Sequence, residues 1–166
     1  MAGMRAVVLG IGNIILEDEG VGVRAVEALQ AQYRLPPEVE AIDGGTAGME
    51  LIEALSGADL LIVLDAILAG KPPGTIVSLA GDEVPSFFRR KLSPHQIALP
   101  DVLASLELLD QLPKQTLVFG VQPQSMELGM ELTAPVAACI PELVELAVEA
   151  LRKNGHAVEP ATALAA

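Results

Sequence analysis

The segment at residues 59–64, DLLIVL, is the most continuous apolar stretch in the chain that runs directly into an acid, Asp65. An unbroken aliphatic run of this length is typical of a parallel strand that is covered on both faces. We therefore expect this strand to lie in the middle of a sheet. An acid at the end of such a strand is costly to hold near a core unless partners or a cation compensate it, which makes Asp65 a candidate functional residue.

Short strand-like segments alternate with amphipathic segments along the rest of the chain. Apolar residues at Val23, Val26 and Leu29 fall on one helical face, and a similar pattern recurs near the C-terminus. This alternation of predicted strands and helices indicates a three-layer α/β/α fold with a mostly parallel, twisted sheet of about five strands. The expected strands are 5–9, 39–42, 59–64, 75–79 and 116–121.

The fourth expected strand differs from the others in how it is connected. Only residues 70–74, rich in Pro and Gly, separate it from the region of the third strand. A parallel neighbour needs a crossover of a dozen or more residues, which this connection cannot supply. The strand at 75–79 is therefore predicted to be antiparallel and at an edge of the sheet.

The length of 166 residues predicts a single domain over 1–166, and a helix stop at Gly155 predicts a flexible tail over 156–166. His156 is expected to fray into solvent in that tail. The last long helix should restart or kink at Pro141. Residues 81–100 show no clear periodicity and form the longest irregular stretch, which we expect to be functional or mobile.

Charge and composition exclude several classes of protein. Ten Lys and Arg stand against 22 Asp and Glu, and a net charge of −12 repels phosphate backbones, so nucleic acid is not an expected partner. No apolar stretch is long enough to cross a bilayer, so no membrane insertion is expected. The N-terminus lacks a signal-peptide pattern and Cys139 is the single cysteine, which together predict a cytoplasmic protein and a packing role for Cys139.

Three acids follow the predicted parallel strands. In an open α/β sheet, ligands bind outside the carboxyl ends of the strands, so Glu19, Asp43 and Asp65 should face one crevice. His95, within the irregular stretch, is the natural further member of this group. Carboxylates with one imidazole suit a divalent transition metal such as nickel, zinc or iron, although any of these residues could instead be an ordinary surface or loop residue.

Two other chemistries are disfavoured by the motifs. The segment GIGNII at 10–15 begins like a dinucleotide fingerprint but carries Ile15 where the third glycine should be, and no P-loop is present. A serine hydrolase would need a Gly-x-Ser-x-Gly elbow, which is also missing. Neither a nucleotide cofactor nor a Ser or Cys nucleophile is therefore expected.

Four segments stand out in order along the chain: GIGNIILEDEGVG at 10–22, DGGTAG at 43–48, LDA at 64–66 and SPHQ at 93–96. With these segments, the chain resembles the hydrogenase maturation endopeptidases over residues 4–155. The family's GxGN segment followed by D-E-x-x-G is similar to GIGNIILEDEGVG at 10–22, and its D-G-G-T-x-G segment is similar to DGGTAG at 43–48. Its strand-three D-A and its S-P-H loop are similar to LDA at 64–66 and SPHQ at 93–96. Several motifs in the right order make this resemblance far more specific than any one of them.

The resemblance implies an endopeptidase that removes the C-terminal extension of a nickel-iron hydrogenase large-subunit precursor after nickel insertion. Glu19, Asp65 and His95 would correspond to the nickel-binding residues, with the nickel presented by the precursor and other divalent metals able to occupy the site. Asp43 and Asp65 are the candidate catalytic acids, with Asp43 serving as an accessory acid or as a turn anchor. Two alternatives remain open: a noncatalytic nickel-binding chaperone or sensor, and a nucleotide-dependent oxidoreductase that uses the Gly10 and Gly12 loop.

Overall fold

A five-stranded sheet forms the centre of the protein, whose computed structural model describes residues 4–45, 50–84 and 98–164. The strand order is β3-β1-β4-β6-β5, and a separate two-stranded sheet pairs β2 with β7. The strands are β1 (Ala6–Ile11), β2 (Tyr33–Arg34), β3 (Val39–Gly45), β4 (Leu60–Ala66), β5 (Ile76–Ala80), β6 (Gln115–Val121) and β7 (Glu159–Pro160).

The central position of β4 confirms the prediction from its apolar sequence. All seven residues of β4 are buried, and the strand pairs in parallel with β1 on one side and β6 on the other. β5 pairs antiparallel with β6 at the edge of the sheet, as the short connection before it predicts. The sheet is therefore mostly parallel with one antiparallel edge strand.

Helices cover both faces of the sheet and complete three layers. The helices are α1 (Val21–Gln32), α2 (Leu51–Leu55), α3 (Ala98–Leu108), α4 (Ala134–Ala137) and α5 (Ile140–Lys153), and 3₁₀ turns lie at Glu17–Gly20 and Ala161–Leu164. Alternate residues of β4 enter two different cores: Leu60 and Ile62 pack with α1 and α5, whereas Leu61 and Val63 pack with α2 and α3. This arrangement confirms the predicted fold class.

The C-terminal helical region is interrupted where the sequence predicts it. α4 ends at Ala137, and α5 begins at Ile140 with Pro141 in its first turn, where a missing N–H costs no intrahelical bond. Among the described residues, no helix is long and apolar enough to span a membrane.

His156 does not fray into solvent, and that expectation is wrong. Its side chain is buried, and its Nδ1 lies 2.7 Å from Oε2 of Glu38. The pKa of Glu38 is lowered, chiefly by this hydrogen bond. Beyond the pair, Arg152 donates to the carbonyl of Val158, and β7 pairs antiparallel with β2. Residues 156–160 are therefore packed against the domain at the edge where β3 begins.

Candidate active site at the carboxyl edge of the sheet

Asp65 lies at the carboxyl end of the central strand and is almost fully buried, with 1% of its surface exposed. Its Oδ1 accepts a hydrogen bond of 2.8 Å from the main-chain N–H of Ala66. Because side chains alternate along a strand, Asp65 shares a face with Leu61 and Val63, the face that α2 and α3 cover. A carboxylate thus sits inside a layer that is otherwise apolar.

Glu19 lies in the 3₁₀ turn Glu17–Gly20, which joins β1 to α1 and contacts β4. Its side chain is also buried, with 3% exposed. Two glycines permit this placement, because a Cβ on Gly12 would lie 1.7 Å from the carbonyl oxygen of Glu19 and one on Gly22 would lie 2.0 Å from that of Leu64. The main chain of the turn therefore packs directly on β1, and the first residues of α1 pack directly on the main chain of Leu64, the residue before Asp65. Two buried carboxylates therefore lie at the same edge of the sheet.

Asp43 lies at the same edge but in different surroundings. Its Cα pairs with Gly10 of β1, which in turn pairs with Leu64 of β4, so two strand spacings, about 10 Å, separate Asp43 from Leu64. The side chain of Asp43 is exposed, and β3 is an outer strand. The structure does not bury Asp43 beside the two other acids, and its catalytic role stays a prediction.

His95 lies outside the described residues, as do 85–97 as a whole and residues 46–48 of the DGGTAG motif. The helix that follows them is described, and Ala98 is three residues after His95. α3 covers the face to which Asp65 points. Just beyond the C-terminal end of α3, the chain lies at the amino edge of the sheet, where the N–H of Gly57 donates to the carbonyl of Gln111. The N-terminal end of α3 therefore lies toward the carboxyl edge.

Asp18 is a buried acid that no sequence pattern marks as a site residue. One carboxylate accepts four hydrogen bonds from the loop at residues 122–133: Gln124 N–H at 2.9 Å, Ser125 N–H at 3.0 Å, Thr133 N–H at 2.8 Å and Thr133 Oγ1 at 2.8 Å. Burial raises the pKa of Asp18, but these hydrogen bonds outweigh burial and leave the pKa below its usual value. Asp18 therefore ties the loop to the turn that carries Glu19.

Cys139 is not arranged as a nucleophile. Its Sγ lies 3.1 Å from the carbonyl oxygen of Gly74 and 3.3 Å from that of Pro135. Burial, assisted by Glu142, raises the pKa of the Cys139 thiol and disfavours the reactive thiolate. This agrees with the packing role expected for it.

The buried pair offers hard oxygen ligands. In the described ranges, no three Asp, Glu, His or Cys side chains gather in a way that could hold a metal ion. Glu19 and Asp65 supply carboxylates, and addition of one imidazole would give a mixed oxygen and nitrogen set that suits nickel, zinc or iron. The donor types present therefore fit a divalent transition metal, provided that His95 completes them.

Comparison with known proteins gives a consistent result. The sequence profile of the hydrogenase maturation protease family, HycI, matches residues 23–150. The hydrogenase 2 maturation protease of Escherichia coli K12 is 47% identical over 162 residues, covering 97% of this chain and 99% of that protein. The hydrogenase expression/formation protein HupD of Rhizobium leguminosarum bv. viciae is 45% identical, covering 93% of this chain and 77% of that protein.

Solved structures agree with the sequence relatives. The hydrogenase maturating endopeptidase HybD from E. coli superposes with a TM-score of 0.92 at 46% identity and covers 96% of this chain and 99% of its own. The maturation protease HybD from Thermococcus kodakarensis gives a TM-score of 0.73 at 27% identity, covering 88% of this chain and 98% of its own. The resemblance read from the motifs is confirmed: this chain belongs to the hydrogenase maturation protease family.

Proposed function

We propose that this protein removes the C-terminal extension of a nickel-iron hydrogenase large-subunit precursor after nickel has been inserted. Membership of a protease family makes peptide-bond hydrolysis the reaction. The observation that carries the assignment of the site is the burial of Glu19 and Asp65 together at the carboxyl edge, where open α/β sheets bind their ligands. A cytoplasmic location stays a prediction.

The proposed recognition of the precursor uses its own metal. Glu19, Asp65 and His95 would ligate nickel that the precursor presents, and other divalent metals could occupy the same donors. Binding of the precursor's nickel to these residues would fix the position of the scissile bond relative to the enzyme. As a ligand of that nickel, Asp65 would lie beside the reacting groups, and exposed Asp43 could exchange a proton with water at the same edge.

The glycines of the first loop argue against a nucleotide-dependent oxidoreductase. A dinucleotide fingerprint uses such glycines to bring the main chain close to a pyrophosphate. Here the space above them is filled by the protein itself: a Cβ on Gly10 would lie 2.4 Å from the carbonyl oxygen of Gly22, and Gly12 faces the carbonyl of Glu19. These glycines serve close packing of α1 on the sheet.

Mass spectrometry of the large subunit tests the proposal directly. The enzyme is incubated with nickel-loaded precursor and, separately, with nickel-free precursor. We expect only the nickel-loaded protein to lose the mass of its C-terminal extension. Stable binding without any cleavage would instead favour the noncatalytic chaperone or sensor, and equal cleavage of both precursors would refute recognition through nickel.

Substitutions rank the proposed residues. His95→Ala should abolish processing and leave the thermal unfolding transition unchanged, because the side chain is proposed to act on the metal and not in the core. Asp43→Ala should reduce processing less than Asp65→Asn does, because fixing the turn at Gly44 and Gly45 is a sufficient role for an exposed acid there. A folded His95→Ala protein that trims at the wild-type rate would show that acids alone hold the metal.

A further inference from the structure

Apart from Leu68, which follows β4, the most exposed large apolar side chains in the described part of the chain fall into two groups at opposite edges of the sheet. One group, which includes Leu108 and Leu109, lies at the amino edge, beyond the end of α3. The other lies at the carboxyl edge, on the loop at 122–133 and just before the turn that carries Glu19. We call this second group the apolar patch; its members and exposed fractions are Ile15 46%, Met126 40%, Leu128 81% and Met130 61%.

The main chain beneath the apolar patch is firmly held. The N–H of Gly129 donates to the carbonyl of Ile15 at 2.9 Å, and the N–H of Glu17 donates to the carbonyl of Gly129 at 2.8 Å. The N–H of Asp18 donates to the carbonyl of Ser125 at 3.1 Å, and the Asp18 carboxylate accepts the four bonds described above. Apolar side chains on an ordered frame lose little main-chain freedom when a partner covers them.

The apolar patch is continuous with the candidate active site. Ile15 lies two residues before the turn that places Glu19, and the loop at 122–133 begins where β6 ends at Val121. Val121 pairs with Ala66, the neighbour of Asp65. A protein whose peptide bond reaches the two buried acids would therefore lie close to this patch.

The charges around the apolar patch indicate what kind of partner surface would bind it. Glu127 and Glu131 lie between and beside the patch residues on the same loop, and both are exposed. Arg24, a described cation that contacts the patch, is already engaged with Glu27 and with the carbonyl of Met130. An apolar centre with an acidic margin complements a partner that is apolar at its centre and basic around it.

We propose that the apolar patch is the docking surface for the hydrogenase large-subunit precursor, which covers it with an apolar surface bordered by basic side chains. This inference rests on the proposed function, since the precursor is the protein that must reach Glu19 and Asp65. The two methionines suit the role because their flexible thioether side chains can adjust to the surface that covers them. Docking there would hold the precursor while its C-terminal segment enters the site.

A pair of double variants tests the docking surface. Leu128→Ser/Met130→Ser removes the two most exposed side chains of the patch, and Leu108→Ser/Leu109→Ser removes two exposed leucines at the opposite edge as a matched control. With nickel-loaded precursor, we expect the patch variant to raise KM by roughly tenfold or more while kcat changes by less than about twofold. The control should keep the wild-type KM and kcat.

A charge variant tests the acidic margin separately. Glu127→Gln/Glu131→Gln should slow association with the precursor at low salt and have little effect at high salt, because exposed charges act mainly on the rate of encounter. Thermal unfolding of each variant should match the wild type, since all the substituted side chains are exposed.

Each outcome decides the proposal. A wild-type KM in Leu128→Ser/Met130→Ser, or an equal rise in the control variant, would overturn it. A change in the oligomeric state of the free enzyme caused by the patch variant would assign the surface to a second copy of this chain instead. If the wild type does not cleave the precursor, the proposed function fails, and direct binding of nickel-loaded precursor still decides the docking surface. Should the double variant not fold, Leu128→Ala alone, with the same readouts, replaces it.

Discussion

Replacement of Asp18 by alanine would remove one carboxylate and leave four donors of a neighbouring loop without their acceptor. Those donors are the main-chain N–H groups of Gln124, Ser125 and Thr133 and the hydroxyl of Thr133. Asp18 itself is fully buried, so the replacement also opens space beneath the loop. The turn that carries Glu19 would lose the side chain that joins it to the loop.

The size of the effect follows from the hydrogen bonds lost. A hydrogen bond to a charged acceptor contributes about 1.5–3 kcal/mol, so four of them would set a gross upper limit of about 6–12 kcal/mol. Water can reach part of the loop and replace some of these bonds, so we expect a loss of about 3–5 kcal/mol in the free energy of unfolding. For a domain of this size, that loss corresponds to a fall in Tm of about 6–20 °C.

Two measurements check the reasoning. Denaturant unfolding gives the change in stability, and hydrogen exchange of the Ser125 and Thr133 amides reports whether the loop has come loose. Glu131→Ala, an exposed acid on the same loop, is the matched control and should change stability by no more than about 0.5 kcal/mol. An Asp18→Ala protein that unfolds within about 1 kcal/mol of wild type, with both amides still protected, would refute the tethering role of Asp18.

Two further predictions concern residues away from the site. His156→Ala should lower the free energy of unfolding by about 1–3 kcal/mol, because it removes a buried ring and the partner of Glu38, yet leave precursor processing unchanged; processing lost in a folded variant would contradict this. A hydrogen bond from the main-chain N–H of Arg5 holds the pKa of Asp59 below its ordinary 3.8, and a weaker contribution comes from the hydrogen bond with the Lys114 side chain. Because the pKa of Asp59 is lower in the folded state than in the unfolded state, its ionised carboxylate stabilises the fold at pH values above the unfolded-state pKa. This stabilisation is lost as the pH falls through the folded-state pKa. Asp59→Asn should therefore destabilise the protein near pH 7 and hardly at all near pH 2, as measured by denaturant unfolding at both values.

The parts of the fold that were predicted correctly are those encoded in adjacent residues. The unbroken apolar run before Asp65 is enough to place β4 in the centre, because only a strand covered on both faces tolerates it. The short connection before β5 is enough to make that strand antiparallel. The shared edge of Glu19 and Asp65 follows from strand direction alone, because parallel strands end together.

The features that were missed depend on contacts between distant residues. His156 and Glu38 are 118 positions apart, and Asp18 lies 106 to 115 positions from the donors it binds. No local pattern marks such pairs, although an acid immediately before Glu19 at a helix start could have drawn attention to Asp18. The strand β3 also runs on to Gly45, with a register shift between Gly10 and Ile11, which alternation of residue types does not reveal.

The contact between Gly22 and the carbonyl of Leu64 has a consequence for how this protein can vary. Main chain touches main chain at this point and again at Gly12, so the spacing between the backbones that carry Glu19 and Asp65 is set without any intervening side chain. Changes elsewhere on the surface can accumulate without altering that spacing. A single added methyl group, as in Gly22→Ala, would push the helix start off the strand and move one carboxylate relative to the other. Any transplant of these two acids to another scaffold would have to carry both glycines with them.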